Sequence, residues 1–125
     1  MKYLLDSNII IMTVMAMSER LQRRLATCDE GDLVTSAIAY AEVVYGAVRG
    51  KPPAFAQLQA FVEEVPVLDF DYRAALAYAS LPFGRASYDR LIAAHALSHG
   101  LTVVTDNVAH FADVPGLEVE NWTER

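Results

Sequence analysis

The sequence predicts an α/β domain whose mostly parallel central sheet carries helices on both faces. Two observations predict it. Short runs rich in leucine or β-branched residues alternate with longer stretches of helical apolar spacing along most of the chain, the pattern of strands joined by helical crossovers. The early and late runs each end directly in an acidic turn, Asp6-Ser7-Asn8 and Asp106-Asn107, which places polar groups where ligands bind such sheets, beyond the carboxyl ends of the strands.

Element by element, Lys2-Tyr3-Leu4-Leu5 reads as a buried strand, ended by a triplet that favours turns and helix N-caps. A helix over Ile9 to Ala16 follows, then a second helical piece from Ser18, with Leu21 and Leu25 four apart and Gly31 near its end. Leu33-Val34-Thr35 is the next strand, leading through Ser36 into a helix that runs to about Val48. Gly50 and Pro52-Pro53 stop that helix. Phe55, Leu58, Phe61 and Val62 repeat at helical spacing, Val65 to Leu68 reads as a third strand, and Asp71 caps a helix reaching Leu81. After the loop Pro82 to Ala86, Ser87 caps a helix from Tyr88 to about His99. Gly100 closes it, and Leu101 to Thr105 is the clearest strand in the chain. Leu117-Glu118-Val119 alternates like an edge strand before Trp122.

With 125 residues, the chain is expected to form one domain with a real core. Its 54% hydrophobic fraction implies apolar surface hidden in a partner or a dimer. The longest apolar stretch, Ile9 to Met17, falls far short of the ~20 residues of a membrane span, and no export signal opens the chain, so a cytoplasmic location is expected. Cys28 is the only cysteine, which excludes an internal disulfide and a cysteine-based zinc site and leaves core packing as its expected role. A net charge of −6 argues against a simple nucleic-acid binder. Four acids gathered at one metal site would account for most of that charge. Arg20, Arg23 and Arg24, and Arg49 with Lys51, form two local basic clusters that could meet phosphate or lie on solvated helix faces.

The four acids are Asp6, Glu42, Asp89 and Asp106. Glu42 is the only charged residue between Leu33 and Val48, and it shares a helical stripe with Ile38, Ala41, Tyr45 and Val48, so it is expected on the core-facing side. A buried pairing with a tyrosine or an arginine is its ordinary alternative. Asp89 shares a stripe with Ile92, Ala93 and Ala96, although a carboxylate in a first helical turn also complements the helix dipole. Asp6 and Asp106 have ordinary readings as turn or cap residues. Jointly, two acids at strand ends and two on helix stripes converge toward one end of the sheet. Such oxygen-only ligands suit Mg²⁺ or Mn²⁺, and one or two such ions support phosphodiester hydrolysis. Ser7, Asn8 and Thr105 stand close enough in sequence to orient the carboxylates or hold a water.

In Leu4-Leu5-Asp6-Ser7-Asn8, Ala41-Glu42-Val43-Val44-Tyr45-Gly46, Tyr88-Asp89-Arg90-Leu91-Ile92-Ala93-Ala94-His95-Ala96 and Val103-Val104-Thr105-Asp106-Asn107, the chain resembles the PIN-domain ribonucleases, specifically VapC-type toxins of toxin–antitoxin pairs. Phe111, Val114-Pro115-Gly116-Leu117 and Glu120-Asn121-Trp122 resemble the family's C-terminal signature. The resemblance covers essentially the whole chain, residues 1–125. It implies a three-layer α/β/α PIN-like fold and a metal-dependent endoribonuclease that cleaves cellular RNA and arrests translation. It also implies that the protein is usually a homodimer held inactive by a cognate antitoxin, with a catalytic, metal-binding quartet at Asp6, Glu42, Asp89 and Asp106. Ser7 stands where the family often has Thr, Asp106 where many members have Asn, and the loop Phe83-Gly84-Arg85-Ala86-Ser87 departs from the commoner glycine-rich approach to the third acid.

His95, on an alanine-rich helix, is expected to be a packed structural residue, with His99 and His110 at the surface. Met12, Met15 and Met17 are expected to fill core gaps, although flexible methionines also suit a groove that accepts a partner helix. An aspartyl-phosphate phosphotransferase also uses an Asp after a first strand, but it wants a second Asp or a late lysine where this chain has Asn8 and Asp106, with no lysine after Lys51. A PIN-like scaffold that binds RNA or protein without cutting is the non-enzymatic alternative.

Overall fold

The computed structural model describes residues 1–124. Five short strands, β1 (Tyr3–Leu5), β2 (Leu33–Ser36), β3 (Val67–Leu68), β4 (Thr102–Val104) and β5 (Val119–Glu120), form one sheet in the order β3-β2-β1-β4-β5. Every pairing is parallel, with Leu4 opposite Val34 on one side and Val103 on the other. Six helices, α1 (Ser7–Val14), α2 (Glu19–Ala26), α3 (Ala37–Ala47), α4 (Phe55–Glu64), α5 (Tyr72–Ala79) and α6 (Tyr88–His99), complete a three-layer α/β/α arrangement in which α1 packs on α3 and α5 on α6. No helix is long and apolar enough to cross a membrane among the described residues.

The strands are short yet secure, because the middle pair is sealed on both faces. Leu4, Leu5, Val103 and Val104 are fully buried, joined by Ile9, Ile10, Leu58, Ile92 and Phe111. Burying each such side chain contributes about 1.5–3 kcal/mol. The chain reverses its progress across the sheet at β1, which has β2 on one side and β4 on the other. The crevice at that switch point is where open parallel sheets take their ligands, and Asp6 and Asp106 follow the two strands that flank it.

The capping residues act as the sequence implies. Ser18, Ser36, Asp71 and Ser87 each accept a hydrogen bond from a backbone amide of the helix that follows, at 3.0–3.2 Å. Gly100 ends α6 in the left-handed region, at φ 65° and ψ 33°. Nothing lies within 4 Å of a Cβ built there, so Gly100→Ala meets only the backbone penalty. A loss of about 1 kcal/mol is expected in urea unfolding; an unchanged midpoint would show that the turn relaxes.

Several boundaries differ from expectation. Helix α1 ends at Val14, because Ala16 takes a positive φ of 51°, and α2 stops well before Gly31. Strand β3 keeps only two residues, and β5 forms at Val119–Glu120, two residues later than its alternating apolar pattern suggests, though at the sheet edge as expected. A 3-10 turn over Val108–Phe111 has no counterpart in the sequence reading. Met15 and Met17 do not fill core gaps: they are 40% and 65% exposed, while Met12 is partly buried against the core. Cys28 is likewise partly buried against it.

Candidate active site

Asp6 is the most buried of the four acids, with both carboxylate oxygens hydrogen-bonded. The Asp6 amide donates to the Val104 carbonyl at 2.9 Å, which fixes the residue at the mouth of the switch point. Its side chain is only 5% exposed. One carboxylate oxygen accepts from the Ser7 amide at 2.8 Å and the other from the Thr105 hydroxyl at 2.8 Å. Thr105 Oγ1 in turn accepts from the Asn107 amide at 3.0 Å, so its proton is directed at Asp6. Burial pushes the Asp6 carboxyl up from its ordinary value, and the charges of Asp89 and Asp106 push the same way, against the two hydrogen bonds.

Glu42 reaches the site from α3, but not from the core-facing stripe. Tyr45 and Val48 on its stripe are 63% and 66% exposed and Ala41 is also exposed, whereas Ala39 and Val43 are the buried residues. The helix is apolar nearly all round, so apolar spacing could not single out its buried face. Glu42 is nonetheless half-buried, and its Oε1 is buried without a hydrogen-bond partner. Its carboxyl is raised to about 7, first by burial and then by the charges of Asp6 and Asp89.

Asp89 lies in the first turn of α6, on the stripe expected for it: Ile92, Ala93 and Ala96 are fully buried. Its Oδ2 stands 2.9 Å from His110 Nδ1. Asp106 is exposed, with Asn8 Nδ2 at 3.4 Å from its Oδ1. The fold therefore brings all four carboxylates to one sheet end, where the charges of Asp89 and Asp106 act on Asp6 and those of Asp6 and Asp89 act on Glu42. As they stand, no three Asp, Glu, His or Cys side chains among the described residues are gathered tightly enough to hold an ion.

Two open clefts flank the acids. One, of about 230 Å³, is lined by Ser7, Asn8, Glu42, Tyr45 and Lys51. The other, of about 410 Å³, is lined by Arg85, Asp89, Arg90, His110 and Asp113. His110 and Asn107, whose Nδ2 lies 3.1 Å from the His110 ring nitrogens, are the site residues that sequence reasoning missed. The 3-10 turn carries His110 back to Asp89, and no spacing rule spans those twenty-one residues. His95 is a packed residue as expected, fully buried, with Nδ1 2.8 Å from Ser36 Oγ. The cluster of Arg20, Arg23 and Arg24 is engaged locally: Arg23 pairs with Glu19, Arg24 pairs with Glu120 and lies over Trp122, and Arg20 reaches the Glu124 carbonyl.

A family model for the PIN domain matches residues 3–117. The chain is 34% identical to a tRNA(fMet)-specific endonuclease VapC of Salmonella typhimurium, over 98% of both chains. It is 30% identical to ribonuclease VapC2 of Haemophilus influenzae, again over 98% of both. Among solved structures, DNA-bound VapBC from Salmonella typhimurium superposes with a TM-score of 0.85 at 32% identity, covering 98% of each chain. VapBC2 from Rickettsia felis bound to a promoter fragment gives 0.85 at 26% identity, covering 98% of this chain and 99% of that one. Matched almost end to end in sequence and in backbone, the chain belongs to the PIN-domain family, among its VapC-type ribonucleases.

Proposed function

We propose that this protein is a divalent-metal-dependent endoribonuclease, the toxin of a toxin–antitoxin pair, with Asp6, Glu42, Asp89 and Asp106 as its metal ligands. The observation that carries the reading is Glu42 Oε1, a buried carboxylate oxygen with no partner. A charge in that position is costly unless a cation neutralises it, and the four carboxylates supply only oxygen donors, the set suited to Mg²⁺ or Mn²⁺. A bound divalent ion would supply an activated water and neutralise charge on the phosphodiester. The chain's own residues do the rest. Ser7 and Thr105 hold both Asp6 oxygens in place, Asn8 steadies Asp106, and His110 holds Asp89. Flanking clefts leave room for RNA on both sides of the acids, as cutting within a strand requires.

The relatives whose names and complexes are given above include a tRNA endonuclease and toxins in VapBC assemblies bound to DNA. A cognate antitoxin is therefore part of this reading, as is a homodimer, for which exposed Tyr45 on α3 and Val48 just past its end offer apolar surface. The direct test is digestion of total cellular RNA with Mg²⁺ or Mn²⁺, with chelator, and with Asp89→Asn. Discrete fragments that need both metal and Asp89 support the reading. Intact RNA from folded, antitoxin-free protein would replace it with a non-cutting PIN scaffold.

Thr105 gives a finer test. Thr105→Val keeps the shape but removes the proton that orients Asp6. Calorimetric Mn²⁺ affinity is expected to fall about 10- to 100-fold, the usual cost of losing a ligand's hydrogen-bond partner. Wild-type affinity would show that the Ser7 amide alone suffices.

A further inference from the structure

The segment from Pro82 to Ser87 has a construction that the metal site does not account for. Arg90, 8% exposed on α6, donates from its guanidinium to the Pro82 carbonyl and stands 3.6 Å from Asp113. Gly84 rests directly on that guanidinium: a Cβ there would come within 2.9 Å of Arg90 Nη1. A buried cation thus props the loop from below. On either side of Gly84, Phe83 is fully exposed and Arg85 is exposed. Arg85 takes part in no ion pair among the described residues and lines the same cleft as Asp89. Tyr88, at the start of α6, is 64% exposed beside it.

One exposed aromatic carries nothing by itself, because single surface hydrophobics are ordinary. A propped loop that shows an aromatic ring and an unpaired guanidinium at the rim of a cleft reaching a phosphodiester-cleaving centre is a different matter. Arginine supplies phosphate contact, and an aromatic face supplies stacking for a base of any sequence. Stacking of this kind needs an unpaired base, since duplex RNA keeps its base faces covered.

We propose that the Pro82–Ser87 loop selects the substrate: Arg85 contacts a phosphate next to the one cleaved, and Phe83 stacks on an unpaired base beside it. The proposal rests on the ribonuclease reading above for its substrate, while its test reads binding alone. In an Asp6→Asn background with Mg²⁺, fluorescence anisotropy would follow a short fluorescein-labelled oligoribonucleotide of random sequence, free and annealed to its complement. Adding Phe83→Ala is expected to weaken single-strand binding about tenfold to a hundredfold, with duplex binding unchanged and Phe83→Trp restoring it. Adding Arg85→Ala is expected to weaken both and to lower the slope of log affinity against log salt by about 0.7 for the single strand. Single-strand affinity within about twofold of the background after Phe83→Ala overturns the proposal, given the size of one stacking contact. So does an equal loss on single strand and duplex, or a change confined to oligomeric mass, which would assign the loop to a protein partner. If the wild-type protein cuts no RNA while Phe83→Ala still loses single-strand binding, the nuclease reading fails and only the loop's contact with single-stranded RNA stands.

Discussion

Asp6→Asn is expected to lower kcat/KM for RNA cleavage by about a thousandfold or more while leaving the fold intact. The magnitude follows from the charge removed. A unit charge about 4 Å from a cation contributes about 4 kcal/mol at an effective dielectric of 20, and that energy corresponds to about three decades in rate. The substitution is nearly isosteric. The Asn side-chain oxygen can still accept from the Thr105 hydroxyl or the Ser7 amide, which lie 2.8 Å from the two Asp6 oxygens. Because burial and two neighbouring acids make the ionised Asp6 unfavourable in the metal-free protein, Asp6→Asn is expected to melt no lower than the wild type in chelator. A steady-state assay on a defined fragment substrate, with a thermal melt of the same preparation, checks both parts. Activity within about tenfold of wild type, less than 1.4 kcal/mol, would remove Asp6 from the reaction.

The frame of this site was legible in the sequence because it is made of local signals. Leu4-Leu5 before Asp6 and Val103-Val104 before Asp106 are apolar runs cut off by a carboxylate, and a parallel sheet puts both cut points at one edge. Asp89 was legible for a related reason. Its stripe of Ile92, Ala93 and Ala96 is fully buried, as its spacing implied, although Ala94 and His95 beside that stripe are fully buried too. The rest depended on tertiary packing. Helix α3 is apolar almost all round, so its sequence did not say that Ala39 and Val43 would face inward and Tyr45 outward. Glu42 stands out as the lone charge of its segment, yet its stripe was assigned to the wrong side. His110 was out of reach because a 3-10 turn of four residues gives no periodicity, and its partner Asp89 lies on a separate helix. The prop beneath Gly84 was equally hidden, since an arginine following Asp89 in a helix reads as surface until its burial is seen.

Glu42→Gln is expected to separate stability from activity: cleavage falls by an amount comparable to Asp6→Asn, while the metal-free protein becomes more stable at pH 8. The sign follows from linkage. Glu42 is raised from 4.5 to about 7 in the folded protein, so between those values the native state holds a proton that the unfolded state has released. Stability contributed by the group is therefore full below pH 4.5, falls as pH rises through about 7, and is flat above. Asp6, also raised, acts in the same direction. His95 opposes them, because burial and the neighbouring His99 lower its pKa from 6.5, so its contribution grows as pH rises toward that value. For this reason the wild-type profile alone decides little, and the difference between wild type and Glu42→Gln isolates the carboxyl. Urea unfolding in chelator at pH 5 and pH 8 should show Glu42→Gln gaining on wild type at the higher pH. Saturating Mg²⁺ should reverse the ranking at pH 8, since an ion that binds only the folded state stabilises it in proportion to the logarithm of its concentration over Kd, and the variant has lost a ligand. A stability difference that is the same at both pH values would show that Glu42 ionises freely, which would remove the strained carboxylate on which the metal reading rests.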